Sequence, residues 1–234
     1  YLLQDLWALG SSVDQIIDAV DTFNLHTPSV KILDLGCGKG ALSVRLASKY
    51  RLKVVGIDAI PEFLDYAIEK AVEYNVSHLC EFIEDDILEF TSVEHDFDIV
   101  ILASLGGIFG SLKDTIERLR SQVNQNGYVI IDDGFLKNKD ILNRKGYSHY
   151  CNYKNSIKEL MSFNDILIEE INTNEVSKEI NHEYLEVIEK RSKELIDKHP
   201  ELEKDLNEYI QLQKEECEII ETEIEGTIWV LRKL

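Results

Sequence analysis

The sequence predicts an α/β fold in which helices cover a mainly parallel sheet from both sides. Short segments rich in Val and Ile, often apolar at consecutive positions, alternate with helix-length segments between residues 30 and 133. Continuous apolar runs are typical of strands buried on both faces, and repeated strand–helix alternation implies right-handed crossovers between parallel strands. The 234 residues suffice for one domain with an appendage, so we expect a single three-layer domain, 1–234.

The first predicted element is an amphipathic helix near the N-terminus. Apolar residues recur there at helical spacing, and Ser12 followed by Gln15 has the pattern of a capping box. Pro28 closes the helix. We therefore expect a helix over about 12–24, within an N-terminal helical segment, 1–27.

The alternating region supplies most of the predicted sheet. Seven segments have the length and composition of strands: 30–35, 53–58, 80–84, 98–103, 128–132, 166–171 and 226–231. Three segments between the first five strands have the length of helices: 41–50, 61–74 and 112–123. The second of these helices begins with Pro61, which suits a first helical position.

The segment 177–223, dense in Glu and Lys, predicts a helical cap inserted between the last two strands. Its apolar residues form one stripe from Leu202 to Ile224, and Pro200 divides it into two helices. The preceding segment, 137–161, is polar and rich in turn residues, so we expect it to fold over the edge of the sheet.

Composition excludes several classes of protein. With 44% hydrophobic and 29% charged residues, the chain is typical of a globular protein, and a net charge of -19 disfavours a nucleic-acid partner. No apolar run is long enough to cross a membrane and no signal peptide is visible, so a cytoplasmic protein is expected. The four cysteines lie far apart without paired histidines, which argues against a metal site or a disulfide framework. Composition leaves oligomer formation open.

One local motif carries the functional interpretation: V-K-I-L-D-L-G-C-G-K-G, residues 30–40. Glycines at 36, 38 and 40 follow the first strand and lead into the first crossover helix, where a ligand can approach backbone N–H groups without side chains in the way. The spacing fits neither the dinucleotide pattern G-x-G-x-x-G nor a phosphate-binding loop ending in G-K-[ST]. The alternative is that turn chemistry alone explains the glycines.

With Asp34, the D-x-G-x-G-x-G pattern resembles motif I of the class I S-adenosylmethionine-dependent methyltransferases. The resemblance implies a Rossmann-like three-layer sandwich with a mostly parallel seven-stranded sheet whose last strand is antiparallel. It implies S-adenosyl-L-methionine as the cofactor and 30–133 as the cofactor-binding core. It assigns cofactor contacts at the turn to five residues: Asp34, Gly36, Cys37, Gly38 and Gly40.

The second strand carries the next match to the family. Its last residue in the family is acidic and accepts hydrogen bonds from both ribose hydroxyls, and V-V-G-I-D-A places Asp58 there, followed by Ala59. A carboxylate suits this role because it offers two acceptor oxygens and no donor. A compatible alternative is that Asp58 caps the helix that begins at Pro61.

The third and fourth strands extend the resemblance. In F-I-E-D-D-I, Asp86 matches the acidic residue that binds the adenine amino group in the family. If the alignment shifts by one residue, Asp85 takes that role. The alternative without a function is a solvated acidic turn. The resemblance implies five further contacts, with the adenine ring at Asp85 and Ile87 and with the methionine end of the cofactor at Ala103, Ser104 and Leu105.

The resemblance implies methyl transfer to a small-molecule acceptor, without a metal or a covalent intermediate. Catalytic candidates, which would deprotonate the acceptor, follow the fifth strand: Asp132, Asp133, Tyr147 and His149. The segment 1–10, which contains Trp7, and the helices after Ser177 are candidate lids; for Trp7, ordinary core packing is the alternative. The chain lacks the N-P-P-[YF] run of the family's DNA and protein-glutamine enzymes, which disfavours those substrates.

Two other functions remain open at this point. An NAD(P)-dependent oxidoreductase would use Asp58 for its ribose equally well, although the glycine spacing argues against it. A regulatory or interaction protein would retain the cofactor fold without turnover and present the cap to a partner.

Overall fold

The computed structural model describes residues 1–23 and 29–234 and contains a seven-stranded sheet of order β3-β2-β1-β4-β5-β7-β6. The strands are β1 (Lys31–Leu35), β2 (Lys53–Asp58), β3 (Cys80–Glu84), β4 (Phe97–Ala103), β5 (Val123–Leu136), β6 (Ile166–Asn172) and β7 (Ile224–Arg232). Neighbours among β1 to β5 are parallel, whereas β7 runs antiparallel to both β5 and β6. The predicted α/β fold with an antiparallel last strand is confirmed.

Helices cover both faces of this sheet. They are α1 (Val13–Asp21), α2 (Ala41–Tyr50), α3 (Pro61–Glu73), α4 (Ile87–Phe90), α5 (Leu112–Arg120), α6 (Tyr153–Leu160), α7 (Asn174–Lys198) and α8 (Glu203–Glu223). Helices α1, α2 and α3 contribute to one apolar core, and α4, α5 and α6 to the other. Because successive strand residues such as Ile32 and Leu33 enter opposite cores and are both fully buried, the strands read as continuous apolar runs.

The helical cap consists of α7, a 3₁₀ turn at Pro200–Leu202 and α8, and it connects β6 to β7. Pro200 separates the two helices as predicted. The predicted apolar stripe is buried only in part, since Ile210 and Cys217 are buried while Leu202 is exposed and Ile224 already begins β7. Within the ranges that the structure describes, no helix is both long and apolar enough to cross a bilayer.

Several predicted boundaries need correction. Ser12 precedes α1, but its side chain forms no capping hydrogen bond, and its backbone N–H instead donates to the Asp132 carboxylate at 2.8 Å. The helix ends at Asp21, and the predicted end near residue 24 and the closure at Pro28 lie outside the described residues. Helices α4 and α6 were not predicted from the sequence.

The parallel strands bring the predicted site together. Asp34 pairs with Gly56 and Ile101, Asp58 pairs with Glu84, and Ala103 pairs with Asp132. The residues that follow these strands therefore lie along one edge of the sheet, where open α/β folds bind ligands.

Candidate functional site

The turn from β1 into α2 adopts a conformation that favours glycine at three positions. Gly36, Gly38 and Gly40 have φ of +67°, +52° and +71°, in the left-handed region. A Cβ on Gly36 would stand 2.4 Å from the Leu105 side chain, and one on Gly40 would stand 2.7 Å from Ala67. The first glycine thus allows β4 to approach the turn, and the third allows α2 to pack against α3.

Asp58, at the end of β2, organises this turn. One carboxylate oxygen accepts the N–H of Gly38 at 2.8 Å, and the other accepts the N–H of Ile60 at 3.0 Å at the start of α3. Asp58 lines a cavity, as the resemblance implies for a cofactor-binding residue. The alternative that it caps α3 is wrong, because the N-cap residue is Ile60 and no side chain forms a capping hydrogen bond there.

Asp34 lies beneath the turn and is almost completely buried. It accepts a hydrogen bond from the Ser43 hydroxyl at 2.5 Å, which ties the end of β1 to the first turn of α2. Burial, with a smaller contribution from the charge of Asp58, raises the pKa of Asp34 to about 6. Its contact with Ser43 supports the shape of the glycine turn.

A first cavity of about 420 Å³ opens above this turn. Eleven residues predicted to bind the cofactor line it: Asp34, Gly36, Cys37, Gly38, Asp58, Ala59, Asp86, Ile87, Ala103, Ser104 and Leu105. The structure does not place Gly40 or Asp85 in the lining. Of the two acidic residues that the sequence left open after β3, Asp86 faces the cavity and caps α4 by accepting the N–H of Leu88 at 2.8 Å.

Sequence reasoning missed most of the wall opposite the sheet. We call residues 1–12 the N-terminal strap. The indole N–H of Trp7 donates to the carbonyl of Lys39 at 2.9 Å, and the buried ammonium of Lys39 donates back to the carbonyls of Leu3 and Leu6. Leu9 faces Gly38, where a Cβ would stand 3.1 Å from the leucine side chain. The sequence indicates this segment as a candidate lid, but it does not indicate these contacts.

The strap is also attached to the cap. The Arg191 guanidinium on α7 donates two hydrogen bonds to the Asp5 carboxylate, at 2.6 and 2.7 Å, and a third to Glu194. The Tyr1 hydroxyl donates to the same Glu194 carboxylate. The Arg191 side chain lowers the pKa of Asp5, chiefly through these hydrogen bonds. The strap therefore joins the glycine turn to α7.

A second cavity, of about 650 Å³, adjoins the first. Four residues line both cavities: Leu9, Ser104, Leu105 and Ile108. Ser104 has a φ of +57°, which is unusual for a residue other than glycine; its N–H donates to the Asp132 carbonyl at 2.9 Å and its hydroxyl donates to the Gly10 carbonyl at 3.0 Å. These bonds hold the wall that the two cavities share.

All four catalytic candidates line the second cavity: Asp132, Asp133, Tyr147 and His149. Burial raises the pKa of Asp132 to about 6 and that of Asp133 to about 7. A hydrogen bond with the Tyr150 side chain opposes the shift of Asp133, and the neighbouring charge of Asp132 adds to it. A carboxylate whose pKa lies near neutrality can accept and release a proton at physiological pH.

The raised pKa of Asp133 predicts a stability that falls as pH rises. Between the ordinary value of 3.8 and about 7, the folded state binds more protons than the unfolded state, so the free energy of unfolding decreases. Replacing Asp133 by Asn should stabilise the protein by about 2 kcal/mol near pH 8, a rise in Tm of about 5 °C, and by much less near pH 4. Calorimetric melting at both pH values, with exposed Asp65→Asn as the control, measures this; equal gains at both pH values would contradict it.

Comparison with known proteins identifies what this chain is similar to. A family model described as a methyltransferase domain matches residues 26–225. Malonyl-[acyl-carrier protein] O-methyltransferase of Priestia megaterium is 29% identical over 121 residues, covering 51% of this chain and 42% of that protein. Phosphoethanolamine N-methyltransferase 1 of Zea mays is 36% identical over 81 residues, covering 35% of this chain and 16% of that protein. The chain thus spans less than half the length of these two relatives.

Solved structures share the whole fold. A methyltransferase from Thiobacillus denitrificans, in complex with S-adenosyl-L-homocysteine, has a TM-score of 0.81 at 15% identity and covers 100% of this chain and 96% of its own. A methyltransferase from Geobacter sulfurreducens, also in complex with S-adenosyl-L-homocysteine, has a TM-score of 0.75 at 17% identity. The match covers 95% of this chain and 90% of that chain. At these identities the likeness shows the fold.

Proposed function

The chain belongs to the methyltransferase family, and on that premise we propose that it transfers a methyl group from S-adenosylmethionine to a small-molecule acceptor. The observation that carries this proposal is the pair of adjoining cavities, one above the glycine turn and one above Asp132 and Asp133, with a shared wall at Ser104 and Leu105. Methyl transfer requires the cofactor and the acceptor to meet in line. The junction of the two cavities, at the residues that line both, is a place where they can meet.

The residues of the first cavity fit S-adenosylmethionine. The turn presents backbone without side chains, and a Cβ on Gly38 would enter the space beside Leu9. Asp58 would hold the ribose hydroxyls, Asp86 would accept the adenine amino group, and Ser104 with its neighbours would hold the methionine end. When bound, this cofactor supplies an electrophilic methyl group on a sulfonium sulfur.

The second cavity would hold the acceptor. Asp133 would take a proton from it, and the strap with the cap would exclude water from the shared wall. The acidic composition, with a net charge of -19, supports an acceptor other than a nucleic acid. A cytoplasmic location stays a prediction from composition.

Ligand-dependent melting tests this proposal against the oxidoreductase alternative. S-adenosylhomocysteine at about 100 times its Kd should raise the Tm by about 5–10 °C, because a ligand that binds only the folded state stabilises it by mass action. NAD should leave the Tm unchanged. A shift with NAD and none with S-adenosylhomocysteine would overturn the proposal.

Transfer of a labelled methyl group tests it against the alternative of a binding protein without turnover. With labelled S-adenosylmethionine and a metabolite extract, label should appear in a small product that is absent when the protein is heat-inactivated. Tight binding of S-adenosylhomocysteine without any labelled product across broad extracts would favour a regulatory role.

The strap predicts a further effect on cofactor exchange. Arg191→Ala removes the paired hydrogen bonds to Asp5 and should speed dissociation of S-adenosylhomocysteine about fivefold, because the strap that covers the cavity then opens more readily. Stopped-flow displacement measures the rate. The matched control is Lys214→Ala, which removes a pair with Glu189 inside the cap and leaves the strap untouched. Equal rates in both variants would refute the strap as a lid.

A further inference from the structure

We propose that the methyl acceptor is a small molecule that carries both an amine and an anionic group, with the amine beside Asp132 and Asp133 and the anion beside Arg144 and Lys145. This inference rests on the proposed methyl transfer and names the substrate class of the second cavity. Negative and positive side chains lie at different ends of that cavity.

The inner end of the cavity carries negative charge without a protein cation to balance it. In the described part of the chain, neither aspartate forms an ion pair, and Asp132 accepts the N–H of Ser12 at 2.8 Å. Burying a carboxylate without a counter-charge is costly. A ligand ammonium at this position would balance the charge.

The side chains packed around the aspartates supply no positive charge. The Nε2 atom of His149 is inaccessible to solvent and has no hydrogen-bond partner among the described residues, and burial lowers the pKa of this ring, which favours its neutral form. Tyr147 donates its hydroxyl to Glu216 on α8 at 2.7 Å, so a further carboxylate faces the same cavity. The His149 ring packs against Gly106 and Gly107, so it contributes a neutral group to the cavity lining.

The segment that follows β5 places two cations on the same cavity. The Arg144 guanidinium carbon lies 5.4 Å from the centre of the Tyr147 ring, and Lys145 follows directly. Among the described residues, neither side chain lies within 4.0 Å of a carboxylate. Arg144 is half-buried and Lys145 is exposed at the mouth of the cavity. In a chain with a net charge of -19, two cations without an ion pair on one cavity support recognition of an anion, a carboxylate or a phosphate.

The position of the aspartates suits proton transfer from an ammonium group. The Asp133 carboxylate takes one proton from the bound ammonium, which frees the nitrogen lone pair. That lone pair forms the new N–C bond while the C–S bond of the sulfonium breaks. The electron pair of the C–S bond stays on sulfur, which becomes a neutral thioether. The methylated amine leaves as an ammonium, and Asp133 releases its proton to solvent. No oxidant or further reactant is needed.

Matched acceptors test the substrate class. One set comprises ω-aminoalkyl phosphates of increasing length, the corresponding hydroxyalkyl phosphates and the corresponding alkylamines; a second set replaces phosphate by carboxylate. We expect at least one amino-anion to bind the complex with S-adenosylhomocysteine and to be methylated on nitrogen, with kcat/KM at least about tenfold above the matched amine. The hydroxy compounds should give no product. Comparison of the two sets identifies the anion as phosphate or carboxylate.

Two results would overturn this proposal while methyl transfer stands. One is that the protein binds S-adenosylhomocysteine but no amino-anion of either set binds with a Kd below about 10 mM. The other is that a hydroxyl or carboxylate acceptor is methylated in preference to every amine. Failure to bind S-adenosylhomocysteine would instead overturn the proposed function as well.

Variants separate the two ends of the cavity. Arg144→Ala and Lys145→Ala should each raise KM for the amino-anion about tenfold with kcat within twofold, and should leave KM for the matched amine unchanged. The control is Lys154→Ala, at an exposed position on α6 outside the cavity. Equal losses for both acceptors would contradict the assigned anion site.

The pH dependence tests the amine end. The charged groups that line the same cavity as Asp133 are Asp132 on the same strand, Glu216 on α8, and Arg144 and Lys145 at the anion end. Burial raises the pKa of Tyr147 and Tyr150 and lowers that of His149, so these three side chains are neutral. As a proton acceptor, Asp133 must be deprotonated, so kcat/KM should rise with pH through the pKa of Asp133. Because the charge of Asp132 raises that pKa, Asp132→Asn should move this rise to lower pH. An unchanged rise would overturn Asp133 as the proton acceptor.

Discussion

Asp58→Ala is expected to weaken binding of S-adenosylhomocysteine at least about 100-fold. The substitution removes a charged acceptor for two ribose hydroxyls, and hydrogen bonds to charged groups each contribute about 1.5–3 kcal/mol. It also leaves the N–H of Gly38 without its partner. Isothermal titration calorimetry measures the change, with Asp85→Ala as the control because Asp85 follows the neighbouring strand but does not line the cavity. Affinity equal to that of the wild type would refute the assignment of this cavity.

Gly38→Val should produce the same loss through the backbone. At a φ of +52°, a β-branched residue is strained, and its Cβ would stand 3.1 Å from Leu9 inside the cavity. Because the turn lies at the edge of the sheet, far-ultraviolet circular dichroism should remain close to that of the wild type. A folded variant that binds S-adenosylhomocysteine normally would contradict the proposal that the glycine turn binds the cofactor.

Asp133→Asn is expected to reduce kcat by about 10²- to 10⁴-fold, the usual contribution of a general base. Asparagine keeps the size of the side chain but accepts no proton at neutral pH. Affinity for S-adenosylhomocysteine should stay within twofold, since Asp133 lines only the second cavity. Labelled methyl transfer and calorimetry measure the two quantities on one preparation.

The same substitution is predicted to stabilise the protein near neutral pH, so activity and stability should change in opposite directions. Such a trade-off is expected where a carboxylate that destabilises the fold serves a reaction. Exposed Asp65→Asn again serves as the control. Retention of wild-type kcat by Asp133→Asn would eliminate it as the proton acceptor.

The central strands were predictable because both of their faces are buried. β2 (Lys53–Asp58) matches the segment chosen from the sequence, since an apolar run bounded by polar residues leaves little choice of boundary. β3 (Cys80–Glu84) also matches, although it is an edge strand whose residues are half-buried or exposed. β5 extends to Val123–Leu136, well beyond the predicted 128–132, because its first residue pairs with Phe97 of β4 and its C-terminal part pairs with β7, and both contacts are distant in sequence. The start of α6 carried a readable signal, since Asn152 accepts the N–H of Asn155 as an N-cap.

The sheet half of the candidate site was predictable, and the strap half was not. Glycine spacing and strand-end carboxylates are local patterns, so the sequence pointed to Gly38, Asp58 and Asp86, which the structure brings to one cavity. The strap depends on contacts between distant residues, namely Trp7 with the Lys39 carbonyl and Arg191 with Asp5. Periodicity and spacing contain no information about such pairs.

The second cavity illustrates the same limit. The sequence marked Asp132 and Asp133 as strand-end carboxylates and Tyr147 and His149 as nearby polar residues, and all four line one cavity. What it did not indicate is the opposing pair of cations, because Arg144 and Lys145 lie in a polar segment where a solvated position was equally expected.

A crystal structure of the complex with S-adenosylhomocysteine tests the central claim most directly. We predict the adenosyl group above the turn at 36–40, with both ribose hydroxyls within about 3 Å of the Asp58 carboxylate and the adenine amino group at Asp86. The sulfur should face the wall at Ser104 and Leu105, toward the second cavity. A nucleoside bound elsewhere, with the space above the glycine turn filled only by water, would contradict the account.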